Sequence, residues 1–286
     1  MRRRFPPPWS IEQTHACFTV RDESGQALRS RVSFGCRAIL ASVLILATPV
    51  LAVGSQPQRE IVDVQRFPWS SIGKVSSAGE HCTGTVIGAD RFLTAAHCLY
   101  LTRTGHFLLP ESINILLGYE KGEYHVHRVA SHYTIPPAFD ASLYAYPPKR
   151  TNYLIGARND WAVVYTDESF PLDIKPLRLA STKPSPGTAV KMAGYPAESL
   201  YAMTADPHCQ ITEISHDGKL IAQNCITHSG DSGGPLLSAD DDGLILGVQV
   251  LGYSLFVQLR EQSKEGGVAV SASSITEFLK PKAGEQ

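Results

Sequence analysis

The sequence predicts an all-β protein with a single helix at its C-terminus. Short runs rich in apolar and β-branched residues recur along the chain, and glycine and proline separate them, which is the pattern of strands and turns. Ser274–Leu279 is the best helix candidate, with Ser273 or Ser274 as its N-cap. The predicted strands include Ser112–Leu117, Tyr124–Ala130, Asp160–Tyr165, Ala189–Ala193, Leu244–Val250 and Gly267–Ser271.

The first 52 residues differ in composition from the rest of the chain. Residues 1–37 are rich in arginine, and Ala38–Val53 is an uncharged, mostly apolar run of 16 residues. Such a run is short for a membrane-spanning helix, and Val50-Leu51-Ala52 fits the small-residue pattern of a cleavage point. We therefore predict a basic N-terminal region with a secretory signal over residues 1–52. An uncleaved signal anchor is the alternative.

Without residues 1–52 the chain is acidic and contains four cysteines. It then holds 19 basic and 24 acidic residues, a net charge of −5 with histidine neutral. This charge argues against nucleic acid as a partner. Cys82, Cys98, Cys209 and Cys225 remain. In an exported protein four cysteines indicate two disulfides, for which three pairings exist.

In the segment Ser229–Pro235, the second serine, Ser232, lies among three glycines. Such a segment can turn tightly and bring backbone N–H groups close to a reacting carbonyl group. The same residue types are also common in ordinary polar turns. A catalytic serine needs a neighbouring base, and that base needs an orienting group. The rest of the chain must therefore supply both partners if Ser232 is a nucleophile.

Chain order distinguishes two arrangements in which such a serine acts. The segment fits G-x-S-x-G, the nucleophile elbow of α/β-hydrolases, in which an acid and a histidine follow the serine. No histidine follows His228, so the elbow is excluded. The order histidine, aspartate, serine is met instead, by His97 in the segment TAAHC and by Asp160 in the segment NDWAVV.

Together the three segments resemble those of the chymotrypsin-like (trypsin-fold) serine peptidases: TAAHC around the base, ND-x-A-[LV] around the acid and GDSGGP around the nucleophile. The resemblance covers about residues 61–279. It implies that Ser232 is the nucleophile, that His97 is the general base and then acid, and that Asp160 orients the imidazole. The backbone N–H groups of Gly230 and Ser232 would form the oxyanion hole.

The resemblance also implies the architecture. It predicts two packed six-stranded antiparallel Greek-key β-barrels and a C-terminal helix within a peptidase domain at residues 53–286. We place the lobes at about residues 61–170 and 187–286. The resemblance implies a Cys82–Cys98 disulfide that would steady the histidine loop. Residues 210–224 read as two short strands joined by a turn, and a Cys209–Cys225 disulfide would bridge that hairpin.

Specificity is where the chain departs from its relatives. The residue six positions before the nucleophile is an aspartate in trypsin and Ile226 here, so a charged anchor for lysine or arginine is missing. The chain is similar to bacterial glutamyl-endopeptidase-like members, which bind an acidic side chain with a histidine, but Gln249 stands near that place. We predict a preference for an uncharged side chain. The predicted pocket residues are Ile226, Thr227, Gln249, Val250, Gly252 and Gly267.

Three other features bear on activation and on the site. Asp231 precedes the nucleophile, as in members whose freed N-terminal amine pairs with that aspartate, and cleavage before Ile61 could supply such an amine. Val250 replaces a serine that helps to hold the catalytic aspartate in many relatives. Residues 135–159 contain four prolines and lengthen the interval from base to acid to 63 residues. They form either a surface insertion or a substrate-gating loop.

We predict a secreted or periplasmic serine endopeptidase, a monomer that cleaves protein or peptide substrates through an acyl-enzyme. We expect no cofactor, no nucleic-acid partner and no stable membrane association after signal removal. No metal is expected at His97 and Cys98, because no second cysteine or histidine lies near them at ligand spacing. A catalytically idle binding homologue and an esterase-like hydrolase with the same triad are the alternatives.

Overall fold

The structure is a computed structural model that describes residues 10–14, 17–21, 59–77, 79–144, 153–252 and 266–280. The chain divides into two units, residues 1–53 and 54–286. In the first unit, β1 (Ser10–Thr14) and β2 (Cys17–Arg21) form an antiparallel pair, which the arginine-rich composition does not predict. The predicted signal run lies outside the described residues. Among the described helices, none has the length and apolar character needed to cross a membrane.

The described part of the second unit contains β-strands, short 3-10 turns and two α-helices. The helices are α1 (Tyr153–Ala157) and α2 (Ala272–Leu279). The strands are β3 (Glu60–Ile61), β4 (Ile72–Ser77), β5 (Glu80–Val86), β6 (Arg91–Thr94), β7 (Tyr100–Leu101), β8 (His106–Phe107), β9 (Asn114–Leu117), β10 (Val126–Thr134), β11 (Ala162–Thr166), β12 (Arg178–Leu179), β13 (Ala189–Gly194), β14 (Thr204–Ile214), β15 (Leu220–Gln223), β16 (Pro235–Ser238), β17 (Leu244–Gly252) and β18 (Gly267–Ser271).

Six antiparallel strands close into the first barrel, in the order β10-β11-β6-β5-β4-β9. Buried and partly exposed residues alternate along β4 and β9, because successive side chains of a strand point to opposite faces. The inward side chains, among them Phe92, Ile115, Leu117 and Val164, form one apolar cluster. This barrel carries His97 on the segment that follows β6.

The second barrel has the same connectivity. Its strands close in the order β17-β16-β13-β14-β15-β18, and β12 and β3 add to β17 and β14 at the edges. When the six strands of each barrel are lettered a to f in chain order, both barrels have the circular order a-b-c-f-e-d. This repeated Greek-key order confirms the predicted fold class of two six-stranded antiparallel barrels with a C-terminal helix.

The last strand and helix match the prediction except at the helix start. β18 has the predicted bounds, and all five of its residues are buried. Val268 and Val270 pack against Ile275 of α2, so the helix covers that face of the strand. The predicted cap at Ser273 or Ser274 is wrong. The chain turns directly from β18 into a helix that begins at Ala272, and the N-cap position, Ser271, makes no side-chain cap hydrogen bond.

Candidate active site

The pairing of β6 with β11 brings His97 and Asp160 together. Thr94 at the end of β6 lies opposite Ala162 at the start of β11, so the residues just after and just before these strands meet at one end of the barrel. His97 Nδ1 lies 2.6 Å from Asp160 Oδ2, and the backbone N–H of His97 donates to Asp160 Oδ1 at 2.8 Å. The Asp160 side chain is fully buried, whereas that of His97 is 19% exposed. The carboxylate therefore fixes both the ring and the backbone of the histidine.

Tyr144, in the insertion of residues 135–159, completes this arrangement, and the motifs did not reveal it. Its ring stacks on the imidazole of His97, with centroids 5.0 Å apart and an interplanar angle of 13°. Its hydroxyl donates to Asp160 Oδ2, the oxygen that also contacts His97. The abundance of tyrosine in the insertion was the only signal in the sequence, and it does not single out one residue.

The loop around Ser232 is shaped by two glycines in the left-handed region. Gly230 has φ +97° and Gly233 has φ +82°, a conformation that favours glycine. A Cβ on Gly233 would lie 2.2 Å from Thr94 Oγ1 and 2.8 Å from the Ala95 nitrogen. The nucleophile loop is thus pressed against the strand end that precedes His97. No other residue type fits at this contact without a shift of the backbone.

Thr83 is a second residue that the motifs did not reveal. Its N–H donates to the Ser232 carbonyl at 2.8 Å, and its hydroxyl donates to the Gly230 carbonyl at 2.9 Å. The same hydroxyl accepts the N–H of Tyr195 at 2.9 Å. This buried threonine therefore fixes the backbone on both sides of Asp231. Nothing in its local sequence marks it, because its partners are far away along the chain.

Neither the N–H of Gly230 nor that of Ser232 donates to another group within the described parts of the chain. Ser232 is half-buried, and in the same parts its hydroxyl makes no hydrogen bond to His97. The structure therefore brings the three predicted triad segments together and holds His97 on Asp160. Formation of the serine–histidine hydrogen bond stays a prediction.

Both predicted disulfides are present. The Cys82–Cys98 disulfide joins β5 to the segment that carries His97. The Cys209–Cys225 disulfide joins β14 to the chain two residues after the end of β15. The sulfurs of Cys82 and Cys98 lie close to a ring nitrogen of His97. Because these sulfurs are bonded to each other, they offer no thiolate to a metal ion.

Asp231 is fully buried and paired with Arg59 rather than with Ile61. One oxygen, Oδ2, accepts from Arg59 Nη1 and from the N–H of His228, the latter at 2.8 Å. Burial raises the pKa of the Asp231 carboxyl, and Arg59 and the His228 N–H act in the opposite direction. Ile61 lies on the edge strand β3 and is 70% exposed. In the uncleaved chain the predicted ion pair of Asp231 therefore has a side-chain cation as its partner.

His81 lies next to the predicted oxyanion hole. Its Nε2 is 3.1 Å from the Tyr195 carbonyl, and a Cβ on Gly230 would lie 2.8 Å from the same nitrogen. Burial and, secondarily, the charge of Lys74 lower the pKa of His81, while its hydrogen bond to Tyr195 acts in the opposite direction. The imidazole is therefore neutral at neutral pH and adds no charge beside Ser232.

The six predicted pocket residues fall into separate surroundings. Thr227 and Gly252 lie together, since a Cβ on Gly252 would lie 3.6 Å from Thr227 Oγ1. Gln249 is buried beside Gly267, and its Oε1 accepts from Gln223 Nε2 at 3.0 Å while its Nε2 donates to the Leu251 carbonyl at 2.6 Å. The Gln249 amide is thus held by protein partners on both sides.

The other two pocket residues have different environments. Val250 packs in an apolar cluster with Trp161 and offers no donor to Asp160. The backbone of half-buried Ile226 is held on both sides, by the Asp206 carboxylate at its N–H and by Arg59 at its carbonyl. Residues 253–265 lie outside the described part of the chain. The pocket therefore stays a prediction.

The family model described as Trypsin matches residues 58–279. This match spans well over half of the chain and includes the His97, Asp160 and Ser232 segments. The chain belongs to the trypsin family. Within this family, a glutamyl endopeptidase of Bacillus licheniformis is 27% identical over 186 residues, and mannan-binding lectin serine protease 1 of Rattus norvegicus is 23% identical over 220 residues. These alignments cover 64% and 63% of this chain, but only 54% and 29% of those two proteins.

Two solved structures share the fold of this chain. A Glu endopeptidase in complex with MPD superposes with a TM-score of 0.62 at 20% identity, covering 78% of this chain and 95% of that one. An inactivated protease paralogue of the scabies mite, S-D1, superposes with a TM-score of 0.57 at 18% identity, covering 77% and 94%. At such identities the likeness concerns the fold alone.

Proposed function

We propose that this chain is a secreted serine endopeptidase that cleaves peptide bonds through an acyl-enzyme at Ser232. The observation that carries the proposal is the His97–Asp160 pair, a histidine ring held by a fully buried carboxylate beside the GDSGGP loop. A buried carboxylate needs such a partner. A ring held at Nδ1 keeps its Nε2 available as a base for the serine.

The proposed reaction uses the described groups in the order in which the bonds change. Ser232 Oγ attacks the scissile carbonyl carbon while His97 takes its proton, and Asp160 stabilises the charged imidazole. The N–H groups of Gly230 and Ser232 stabilise the negative charge on the carbonyl oxygen. His97 then gives its proton to the leaving amine as the C–N bond breaks. Water hydrolyses the ester by the reverse sequence.

We assign Tyr144 the role of positioning Asp160, in place of the donor that Val250 cannot supply. Replacing Tyr144 by phenylalanine keeps the ring on His97 and removes the hydroxyl at Asp160 Oδ2. We expect kcat to fall by about 10- to 100-fold with KM unchanged, because a hydrogen bond to a charged group contributes about 1.5–3 kcal/mol and each 1.36 kcal/mol is tenfold in rate. Steady-state kinetics on a peptide substrate measures both constants.

Tyr165→Phe is the matched control for Tyr144→Phe. Tyr165 also stacks on a histidine, His132, with ring centroids 4.4 Å apart, but this pair lies away from Asp160 on β10 and β11. Its replacement should leave kcat within about two-fold, as for surface changes in general. An unchanged kcat in Tyr144→Phe, or a change in KM alone, would remove the positioning role.

The proposed substrates are proteins or peptides with an uncharged side chain before the cleaved bond. The neutral residues Ile226 and Gln249 at the predicted pocket support this preference. One relative is a glutamyl endopeptidase, so a preference for glutamate is the rival expectation. The amide of Gln249 is engaged by Gln223 and Leu251, which argues against its acting as a carboxylate anchor. Cleavage of a peptide library distinguishes the two preferences.

Export is proposed from the cysteines and the N-terminal composition together. Disulfides persist in oxidising compartments, and the described chain contains two of them. With the predicted signal this supports a secreted or periplasmic enzyme, for which we propose a monomer that carries no cofactor.

Two alternatives fit the same fold. The first alternative is an idle binding protein; one structural neighbour is an inactivated protease paralogue, but this chain has His97, Asp160 and Ser232. An esterase would use the same groups, since the chemistry of acyl transfer does not select amides over esters.

Covalent labelling combined with turnover tests the proposed function. A fluorophosphonate reacts with a serine that a neighbouring base has made nucleophilic. We expect one label per chain, and peptide cleavage that falls in proportion to the labelled fraction. An unlabelled chain would indicate the idle binding protein. Labelling with turnover of esters but not of peptides would indicate the esterase.

A further inference from the structure

Arg59 binds three separate segments next to the nucleophile. Nη1 of its guanidinium donates to Asp231 Oδ2 and to the Ile226 carbonyl, the latter at 3.3 Å. Nη2 donates to the Thr204 carbonyl at 2.6 Å. The Arg59 side chain is only 6% exposed. Arginine side chains are seldom buried in this way unless they are paired, so the placement calls for a reason.

Asp231 supplies that reason, because its carboxylate depends on Arg59. The other oxygen, Oδ1, is buried and has no hydrogen-bond partner in the described parts of the chain. Among the described residues, Arg59 and the His228 N–H are the groups that bind Asp231 Oδ2. A buried carboxylate that loses its cation is strongly destabilised. Without Arg59, Asp231 would therefore have to protonate or move toward water.

Movement of Asp231 would disturb the proposed catalytic groups directly. Asp231 lies between Gly230 and Ser232, whose N–H groups form the proposed oxyanion hole. The short turn is closed by the Asp231 N–H donating to the His228 carbonyl at 3.2 Å and by the Gly234 N–H donating to the Asp231 carbonyl at 2.8 Å. The Arg59 guanidinium binds the buried side chain of Asp231, which lies in the middle of this turn.

The chain that follows Arg59 fixes the position of its side chain. In the ladder of β3 with β14, Glu60 lies opposite Ala205 and Ile61 opposite Thr204. Thr204 is also the residue whose carbonyl binds Arg59. Glu60 and Ile61 together form β3, so the bond between them joins the segment that carries the buried guanidinium to the chain that follows. Cleavage of that bond would divide β3 and leave Arg59 joined to the edge ladder through Glu60 alone.

We propose that Arg59 is a built-in cation that holds the Ser232 loop in its active geometry, so that activity requires an intact Arg59–Ile61 connection and no new amino terminus at Ile61. Arg59 acts through Asp231 and is a positioning residue. The inference rests on the proposed peptidase function. From the sequence alone, cleavage before Ile61 could activate the enzyme. From the position of Arg59, we predict that this cleavage inactivates it.

Terminal sequencing of the active fraction tests this without any substitution. The full chain, expressed with export, is reacted with a biotinylated fluorophosphonate, captured, and analysed for intact mass and N-terminal sequence. We expect labelled chains to begin at or before Arg59. Labelled chains that begin at Ile61, with uncleaved chains unlabelled, would overturn the inference while leaving the peptidase intact. If neither cleaved nor uncleaved chains were labelled, both the inference about Arg59 and the proposed peptidase function would be overturned.

Substitution of Arg59 tests the positioning role. Arg59→Ala should lower kcat about 100-fold, the scale of losing one oxyanion donor, and Arg59→Lys should lose less because it keeps the charge. Guanidinium ion at low millimolar concentration should restore part of the kcat of Arg59→Ala. A merely structural role would not respond to guanidinium at that concentration.

The control for Arg59→Ala is Arg66→Ala. Arg66 is exposed and forms no side-chain ion pair in the described parts of the chain, so kcat should stay unchanged with or without guanidinium. Thermal melting separates loss of fold from loss of activity. Should Arg59→Ala fail to fold, Arg59→Gln, which keeps a hydrogen-bond donor and removes the charge, takes its place. Wild-type kcat in a folded Arg59→Ala or Arg59→Gln variant, or equal guanidinium responses in Arg59→Ala and Arg66→Ala, would overturn the inference.

Discussion

Replacing Ser232 by alanine should lower kcat on a peptide substrate by about 10⁵–10⁶-fold. The hydroxyl is the atom that the proposed mechanism joins to the substrate, and no other described residue is placed to take over that bond. A residual acceleration of about 10³–10⁴-fold over the uncatalysed reaction should survive, because the oxyanion donors and substrate binding remain. The half-buried hydroxyl makes no hydrogen bond in the described structure, so stability should change little.

Ser185→Ala is the control for Ser232→Ala. Ser185 lies in an exposed turn between the barrels, where its backbone, and not its side chain, bonds Thr188. Its replacement should leave kcat unchanged. Retention of more than a tenth of wild-type kcat by a folded Ser232→Ala variant would contradict the assignment of the nucleophile. Single-turnover kinetics with enzyme in excess measures the low rates expected.

Replacing Asp160 by asparagine should lower kcat by about 10⁴-fold. The carboxylate accepts from the ring and the backbone N–H of His97 and from the Tyr144 hydroxyl. An amide keeps the size of the group, but its NH₂ cannot accept any of these hydrogen bonds. If the NH₂ faces the ring, Nδ1 must become the acceptor, and the proton then lies on the nitrogen that should act as the base.

A second aspartate–histidine pair provides the control for Asp160→Asn. Asp173 Oδ2 lies 3.1 Å from His125 Nε2, and both side chains are more than half exposed. Surface pairs of this kind contribute little to stability, so Asp173→Asn should leave kcat and the melting temperature unchanged. A folded Asp160→Asn variant with kcat within 10-fold of wild type would show that the His97–Asp160 contact does not serve catalysis.

The three segments around His97, Asp160 and Ser232 could be found in the sequence because each is a short, continuous run of residues. Each of the three is a run of a few residues whose type is set by turn geometry and chemistry, and their order along the chain excluded the nucleophile elbow. The barrel topology followed from the resemblance, and the pairing of all twelve barrel strands confirms it. The catalytic roles stay predictions, which the substitutions of Ser232 and Asp160 test.

Two of the residues that the sequence did not reveal act across long separations. Thr83 binds the loop at Gly230, and Arg59 binds Asp231 from 172 positions away. Such contacts depend on how the barrels close and carry no local pattern. Tyr144 lies in an insertion without a family motif. The cap of α2 was mispredicted because two serines with capping propensity follow a strand that turns straight into the helix.

Trapping the acyl-enzyme tests the central claim most directly. The full chain is mixed with a p-nitrophenyl ester, quenched in acid within milliseconds to seconds, and analysed by intact mass and peptide mapping. The proposed mechanism predicts a mass increase equal to one acyl group, located on Ser232 and absent from Ser232→Ala. Turnover of the ester with no adduct at any quench time, or an acyl group on another residue, would contradict it.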